Sequence, residues 1–212
     1  MFGLDEKIAS LASTKPLVAL AVALLLGLRH PLDPDHLAAV AAMARESRRR
    51  STLIGLCWGA GHATTVLALG VPVVLWTAAL PESVHQTIEA LIGVVIFALG
   101  LRLLIHHHRG DLHAHPHRPP NSLREAYGVG VVHGAGGSAA IGLLILAAIP
   151  DHGVALAGLV VFAVSTALAM SAVAAGLGRG LRQLPAAPVG GFVCAFGVWY
   201  LGAAAVGASY PF

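Results

Sequence analysis

The sequence predicts an all-α polytopic membrane protein of six transmembrane helices, and three observations carry that prediction. Of its 212 residues 57% are hydrophobic and only 11% are charged, against roughly 25% charged in a soluble domain. The mean hydropathy is +0.78. The apolar residues gather into runs of about 20, the length that crosses a hydrocarbon core of about 30 Å, and short segments rich in Arg, Gly and Pro separate the runs.

The elements follow in order. Residues 1–14 form a mildly amphipathic lead-in with Asp5, Glu6 and Lys7, suited to the membrane interface. The first span runs from about Leu17 to Met43 and is stopped by Arg45, Arg48, Arg49 and Arg50. Leu53 to Leu80 is the second, interrupted by Gly59, Gly61 and Pro72. Ile88 to Ile105 is the third, and Glu82 and Glu89 are read as lying at a loop. A histidine-rich linker follows, then a fourth span from Tyr127 to Ile149. Pro150-Asp151-His152-Gly153 turns the chain into a fifth, Val154 to Leu177, and Val189 to Ala208 is the sixth. The whole is read as one transmembrane domain over 1–212, with a three-helix half at 1–105, a loop at 106–125 and a second three-helix half at 126–212.

Loop charge orients the spans. With six spans one face receives Arg45, Arg48, Arg49, Arg50, Arg102, Arg109, Arg118, Arg124, Arg179 and Arg182, and the other only Lys7 and Lys15. Positively charged loops stay in the cytoplasm, so both termini are expected outside and the histidine-rich loop inside, in a bacterial inner membrane. A faint internal repeat pairs Gly27–Val40 with Gly128–Ile141, matching His30 to His133. Three spans per half would invert the halves, an arrangement common in secondary transporters.

The chemistry concentrates in Arg29-His30-Pro31-Leu32-Asp33-Pro34-Asp35-His36, inside the first apolar run. A charged group near the bilayer centre costs about 2.5–3.5 kcal/mol on insertion scales, so a cluster of them marks an ion site. Pro31 and Pro34 cannot donate backbone hydrogen bonds and should break the helix there. In an unbroken helix His30 and Asp35 would point about 140° apart; the break lets them converge. The second span adds His62, the fourth His133 and Ser138, and the fifth Ser165, Thr166, Met170 and Ser171 as pathway residues or helix contacts. Imidazole with carboxylate suits nickel, cobalt, zinc and ferrous iron. The expected metal site is His30, Asp35, His36, His62 and His133, with a buried Arg29–Asp33 pair orienting the motif.

Other classes are set aside on equally direct grounds. The formal charge of +3 resides in short loops and does not make a nucleic-acid surface. The two cysteines, Cys57 and Cys194, offer no disulfide framework. The only lysines are Lys7 and Lys15, so no Gly-Lys-Ser/Thr phosphate loop exists and the chain has no ATPase motif. His106, His107, His108, His113, His115 and His117 bind divalent metal by composition alone, as a buffer or sensor at the cytoplasmic mouth, or form a dispensable solvated loop.

Arg29-His30-Pro31-Leu32-Asp33-Pro34-Asp35-His36-Leu37 resembles the His-x4-Asp-His signature of the nickel/cobalt transporter family, whose usual form reads close to Arg-His-Ala-x-Asp-Ala-Asp-His-Ile. Trp58-Gly59-Ala60-Gly61-His62-Ala63-Thr64 is similar to that family's Gly-His-Ser/Thr element. Val132-His133-Gly134-Ala135-Gly136-Gly137-Ser138-Ala139 is similar to the His-Gly-x-x-Gly-Ser element of its smaller, six-span, urease-accessory-type branch. Pro31 and Pro34 depart from the usual alanines, and Ser138 stands where longer members carry aspartate. The resemblance implies a permease for Ni2+ or Co2+, importing or exporting, with the metal as substrate and not as a resident cofactor. It also implies a link to urease or hydrogenase maturation. The alternatives are a membrane metal sensor, an insertion partner, or a metalloenzyme; against the last, spans two to six carry almost no acid to act as a general base.

Overall fold

A computed structural model describes residues 16–46, 50–76, 82–109, 123–136, 138–181 and 184–206 of the chain, without the side chains of residues 46, 82, 138–141 and 144. Both termini, Lys7 and Lys15, and the linker with His113, His115 and His117 lie outside the described residues. Eight helices are described: α1 (Pro16–Arg29), α2 (Pro34–Glu46), α3 (Ser51–Trp76), α4 (Glu82–His108), α5 (Leu123–His133), α6 (Ser138–Ala147), α7 (His152–Gly180) and α8 (Ala186–Ala205). No strand occurs among the described residues. α3, α4, α7 and α8 are long and apolar enough to cross a membrane, and the bent pair α1–α2 makes a fifth candidate.

The break between α1 and α2 lies where the prolines require it. His30–Leu32 is one turn of 3-10 helix. Asp33 is extended, with φ −64° and ψ 141°, the conformation that a following proline imposes by clashing with its helical alternative. Pro34 then starts α2 at a position whose missing N–H costs nothing, and the two segments bend by 57°.

The expected fourth span is also divided. α5 has 11 residues and α6 has 10, each about 15–16 Å long and short of a bilayer crossing by itself. The described part of the divide is Gly134-Ala135-Gly136, where glycines remove helix propensity. By contrast α3 runs unbroken from Ser51 to Trp76 with Pro72 inside it, so the expected interruption of the second span is not found. α7 starts where the turn residues predicted: the Asp151 carboxylate accepts hydrogen bonds from the N–H groups of Gly153 and Val154, at 2.8 and 3.1 Å, a helix cap.

α3 packs along both α7 and α5, α1 along α7, and α4 along α8. Close approaches give the directions. Gly55 meets Met170 and Ala174 while Gly70 meets Leu159, so α3 and α7 run antiparallel; Gly93 meets Leu201 and Gly100 meets Cys194, so α4 and α8 do too. α3 and α5 run in the same direction, Gly61 lying against Tyr127 and Thr65 donating to the Val131 carbonyl at 2.8 Å.

Two apolar clusters fill the interior. One joins Val40, Met43, Ile54, Trp58, Ile92, Ile96, Met170 and Tyr200; the other joins Ala23, Val66, Leu146, Leu159 and Phe162. The outer surface is apolar as well: Leu17, Trp76, Phe192 and Val206 are 65–82% exposed. Histidines buried while large apolar side chains face outward is the polarity of a protein dissolved in lipid.

Candidate metal site

The site lies where the two apolar clusters meet at the α1–α2 break. His30 opens the 3-10 turn that follows α1 and His36 sits in the first turn of α2, so the bend turns both imidazoles toward α3. His62 projects from the middle of α3. One ligand atom from each of His30, His36 and His62 lies within 4.8 Å of the others, and their rings are 4.5–5.2 Å apart. All three are buried, His36 and His62 completely.

Carboxylates orient two of these rings. The Asp33 carboxylate takes the Nδ1 of His30 at 3.1 Å, and the Asp35 carboxylate takes the Nδ1 of His36 at 3.1 Å. An imidazole whose Nδ1–H donates to a carboxylate presents the Nε2 lone pair to a metal, the arrangement that sets both tautomer and ring direction around bound ions. The Nε2 of His30 lies 3.2 Å from the Nε2 of His62. Among the described residues the Nε2 of His36, the Nδ1 of His62 and both ring nitrogens of His133 are buried without a hydrogen-bond partner. Each such orphan costs about 1–3 kcal/mol, so the cluster gains by sharing a ligand.

His133 joins from α5. Its ring stands 5.1 Å from that of His36, and its Nε2 is 3.9 Å from the second oxygen of Asp35. Asp35 therefore lies between the imidazoles of α2 and α5. α5 comes this close because its glycines have no side chain toward α3: a Cβ on Gly134 would stand 2.5 Å from the His62 carbonyl oxygen, and one on Gly130 would collide with that of Trp58.

The remaining expected residues divide. Arg29 is not buried: its side chain is 66% exposed and its guanidinium is 3.8 Å from Asp33, because the long side chain at the end of α1 reaches outward. The buried Arg–Asp pair expected from the sequence is thus a loose one, and Asp33 is held by His30. Ser165 is buried but donates within α7, at 2.7 Å to the Val161 carbonyl, and Ser171 is half-buried and donates to the Thr52 carbonyl at 3.0 Å; both are helix contacts. Thr166 and Met170 are fully buried on the face of α7 that carries Phe162. Phe162 packs on His30 at 5.5 Å. Ser138 opens α6, its side chain outside the described atoms. His106, His107 and His108 end α4, away from the cluster, with the rings of His107 and His108 5.8 Å apart.

Sequence reasoning missed two residues. Trp58 packs on His36 at 5.5 Å and on His133 at 5.6 Å; its place one turn before His62 on the same helix face was the available signal. Glu89 is not in a loop: it lies two turns into α4 and is 2% exposed. Helix α4 starts at Glu82, earlier than the apolar run suggested.

These features define a class, a multi-pass helical membrane protein with a buried histidine and carboxylate cluster at a broken helix. The urease accessory protein UreH of Bacillus sp. (strain TB-90) is similar to this chain, 27% identical over 164 residues that cover 71% of this chain and 72% of that protein. No family model matches the chain and no solved structure matches it. The resemblance carried by the three motifs and the similarity to this protein agree.

Proposed function

We propose that this chain is a secondary transporter for a divalent transition metal, Ni2+ or Co2+, passing through the site of His30, Asp35, His36, His62 and His133. The observation that supports this most is the convergence of three buried imidazoles, from the 3-10 turn after α1, from α2 and from α3, at a helix break. Two buried carboxylates stand beside them and the nearest arginine is turned outward, so a dication offsets charge that would otherwise be buried. A name of urease accessory protein for the similar Bacillus protein fits a nickel cargo and a link to urease maturation.

The proposed architecture has six spans, counting α1–α2 and α5–α6 each as one broken span, in two inverted halves. The packing supports it: exchanging spans 1 with 4, 2 with 5 and 3 with 6 maps the α1–α7 contact onto α5–α3 and returns the α3–α7 and α4–α8 contacts to themselves. Both termini then lie outside an inner membrane with the arginine-rich face in the cytoplasm. The ion sheds water at the break, is held by the imidazoles with Asp33 and Asp35 behind them, and leaves toward the arginine-rich face. Two positive charges moving inward across 100 mV gain about 4.6 kcal/mol, enough for roughly a thousandfold accumulation. Uptake needs no other coupling, whereas export needs a counter-ion.

Nickel flux into proteoliposomes under an imposed inside-negative potential tests the proposal. Potential-driven entry in the native protein and its loss in His36→Ala are expected. Tight metal binding without flux overturns transport in favour of a sensor, an insertion partner or an enzyme.

A further inference from the structure

Glu89 is a buried carboxylate that the three-histidine site does not use. It lies on α4, about 10 Å from the helix start, at the end of the bundle where α3 terminates at Trp76. Its surroundings are built. Tyr200 of α8 donates its hydroxyl to Oε2 of Glu89. The other oxygen, Oε1, faces the Nε2 of His85 at 3.9 Å, one helical turn earlier, and the His85 side chain is 35% exposed. Oε1 also abuts the α5–α6 break: a Cβ on Gly136 would stand 3.8 Å from it, and Gly136 donates its N–H to the carbonyl of His133 at 3.0 Å.

We propose that His85 and Glu89 form a second divalent-metal site, a two-donor station through which the ion passes between the Glu82 end of the bundle and the histidine cluster. Two donors at i and i+4 on one helix face can grip one ion, as paired side chains at that spacing do in metal-binding helices. Tyr200 holds Oε2, and Oε1 is the oxygen turned toward His85. An imidazole nitrogen and a carboxylate oxygen leave most of the ion's coordination to water, which makes the station weak, and weakness suits a site that must release its ion. The half-exposed His85 meets the ion first. The path leads from Oε1 to the glycine break, three residues from His133.

The transit role rests on the transport reading, so the test separates them. Initial Ni2+ flux is measured against Ni2+ concentration on the Glu82 side, in native protein and in Glu89→Gln, His85→Gln and Tyr200→Phe. Co2+ absorption spectra are recorded for the same detergent-solubilised proteins and for His36→Ala with and without Glu89→Gln. Half-saturating Ni2+ should rise about tenfold in Glu89→Gln and in His85→Gln and less in Tyr200→Phe, the scale of altered ligand shells, while the Co2+ spectrum of the three-histidine cluster is unchanged. Half-saturation within twofold of native in both Glu89→Gln and His85→Gln overturns the station and leaves transport standing. His85 is half-exposed, so its variant decides the matter if Glu89→Gln fails to fold. If the native protein shows no flux, the transport reading and the transit role both fail. The site is then judged by the Co2+ binding that remains in His36→Ala: a fall in the amount of Co2+ bound on adding Glu89→Gln supports the site, and an unchanged amount and spectrum overturn it.

Discussion

The two helix breaks do different work with different residues. The α1–α2 break is made by prolines: Pro34 forces Asp33 into an extended conformation, and the 57° bend sets His30, Asp33, Asp35 and His36 together within seven residues of chain. The α5–α6 break is made of glycines. Its backbone still bonds inward, Gly134 to the Gly130 carbonyl at 2.8 Å, and its missing side chains let α5 lie against the carbonyls of α3. It delivers one ligand, His133. A proline break can create a site from local sequence; a glycine break serves contact with a neighbour.

The comparison is broken most sharply at the histidines. His30→Ala removes a member of the three-imidazole group and should lower nickel affinity more than 100-fold, while His133→Ala, whose nearest partner is Asp35 at 3.9 Å, should lower it about tenfold. Isothermal titration with Ni2+ in detergent measures both. Equal losses would make the two breaks equivalent donors and undo the asymmetry.

Gly134→Val tests the packing role of the second break. Its Cβ would press on the His62 carbonyl oxygen at 2.5 Å, backbone that cannot rotate away, and overpacking of this kind costs about 1–3 kcal/mol. The expected outcome is a lower midpoint in thermal unfolding together with reduced flux. Asp33→Asn tests the local site: the amide still accepts from His30, but its charge is gone. Metal affinity should fall about tenfold, as when an orienting carboxylate is removed, with no change in unfolding midpoint.

Much of this was legible in the sequence. The prolines, the polar cluster in an apolar run and the position of His62 in the next span followed from the cost of burying charge, and the structure brings three of the named histidines together. What was not legible depended on how helices pack. Arg29 and Asp33 sit at i and i+4, a spacing that predicts a pair, yet spacing does not say which side of α1 faces lipid or water. Glu89 was assigned to a loop because it is charged and stands only one residue inside the apolar run, whereas α4 begins at Glu82, about two turns earlier. The break at Gly134–Gly136 was visible as composition, but glycines also occur in an unbroken helix of this protein, Gly59 and Gly61 among them, and neighbouring backbone approaches those as closely, so glycine content by itself did not locate the break.

If the charge of Arg29 held Asp33 in place, Arg29→Gln would release the carboxylate and cost nearly as much metal affinity as Asp33→Asn. The geometry argues otherwise. The guanidinium is 66% exposed and 3.8 Å away, a pair of the kind that contributes about 0–1 kcal/mol, whereas His30 holds Asp33 at 3.1 Å inside the protein. Arg29→Gln should therefore shift Ni2+ affinity by less than about fivefold, and the double variant Arg29→Gln, Asp33→Asn should match Asp33→Asn alone within that margin. A tenfold loss from Arg29→Gln by itself would show that the arginine, and not the histidine, positions the carboxylate, and the proline break would then depend on a charge outside it.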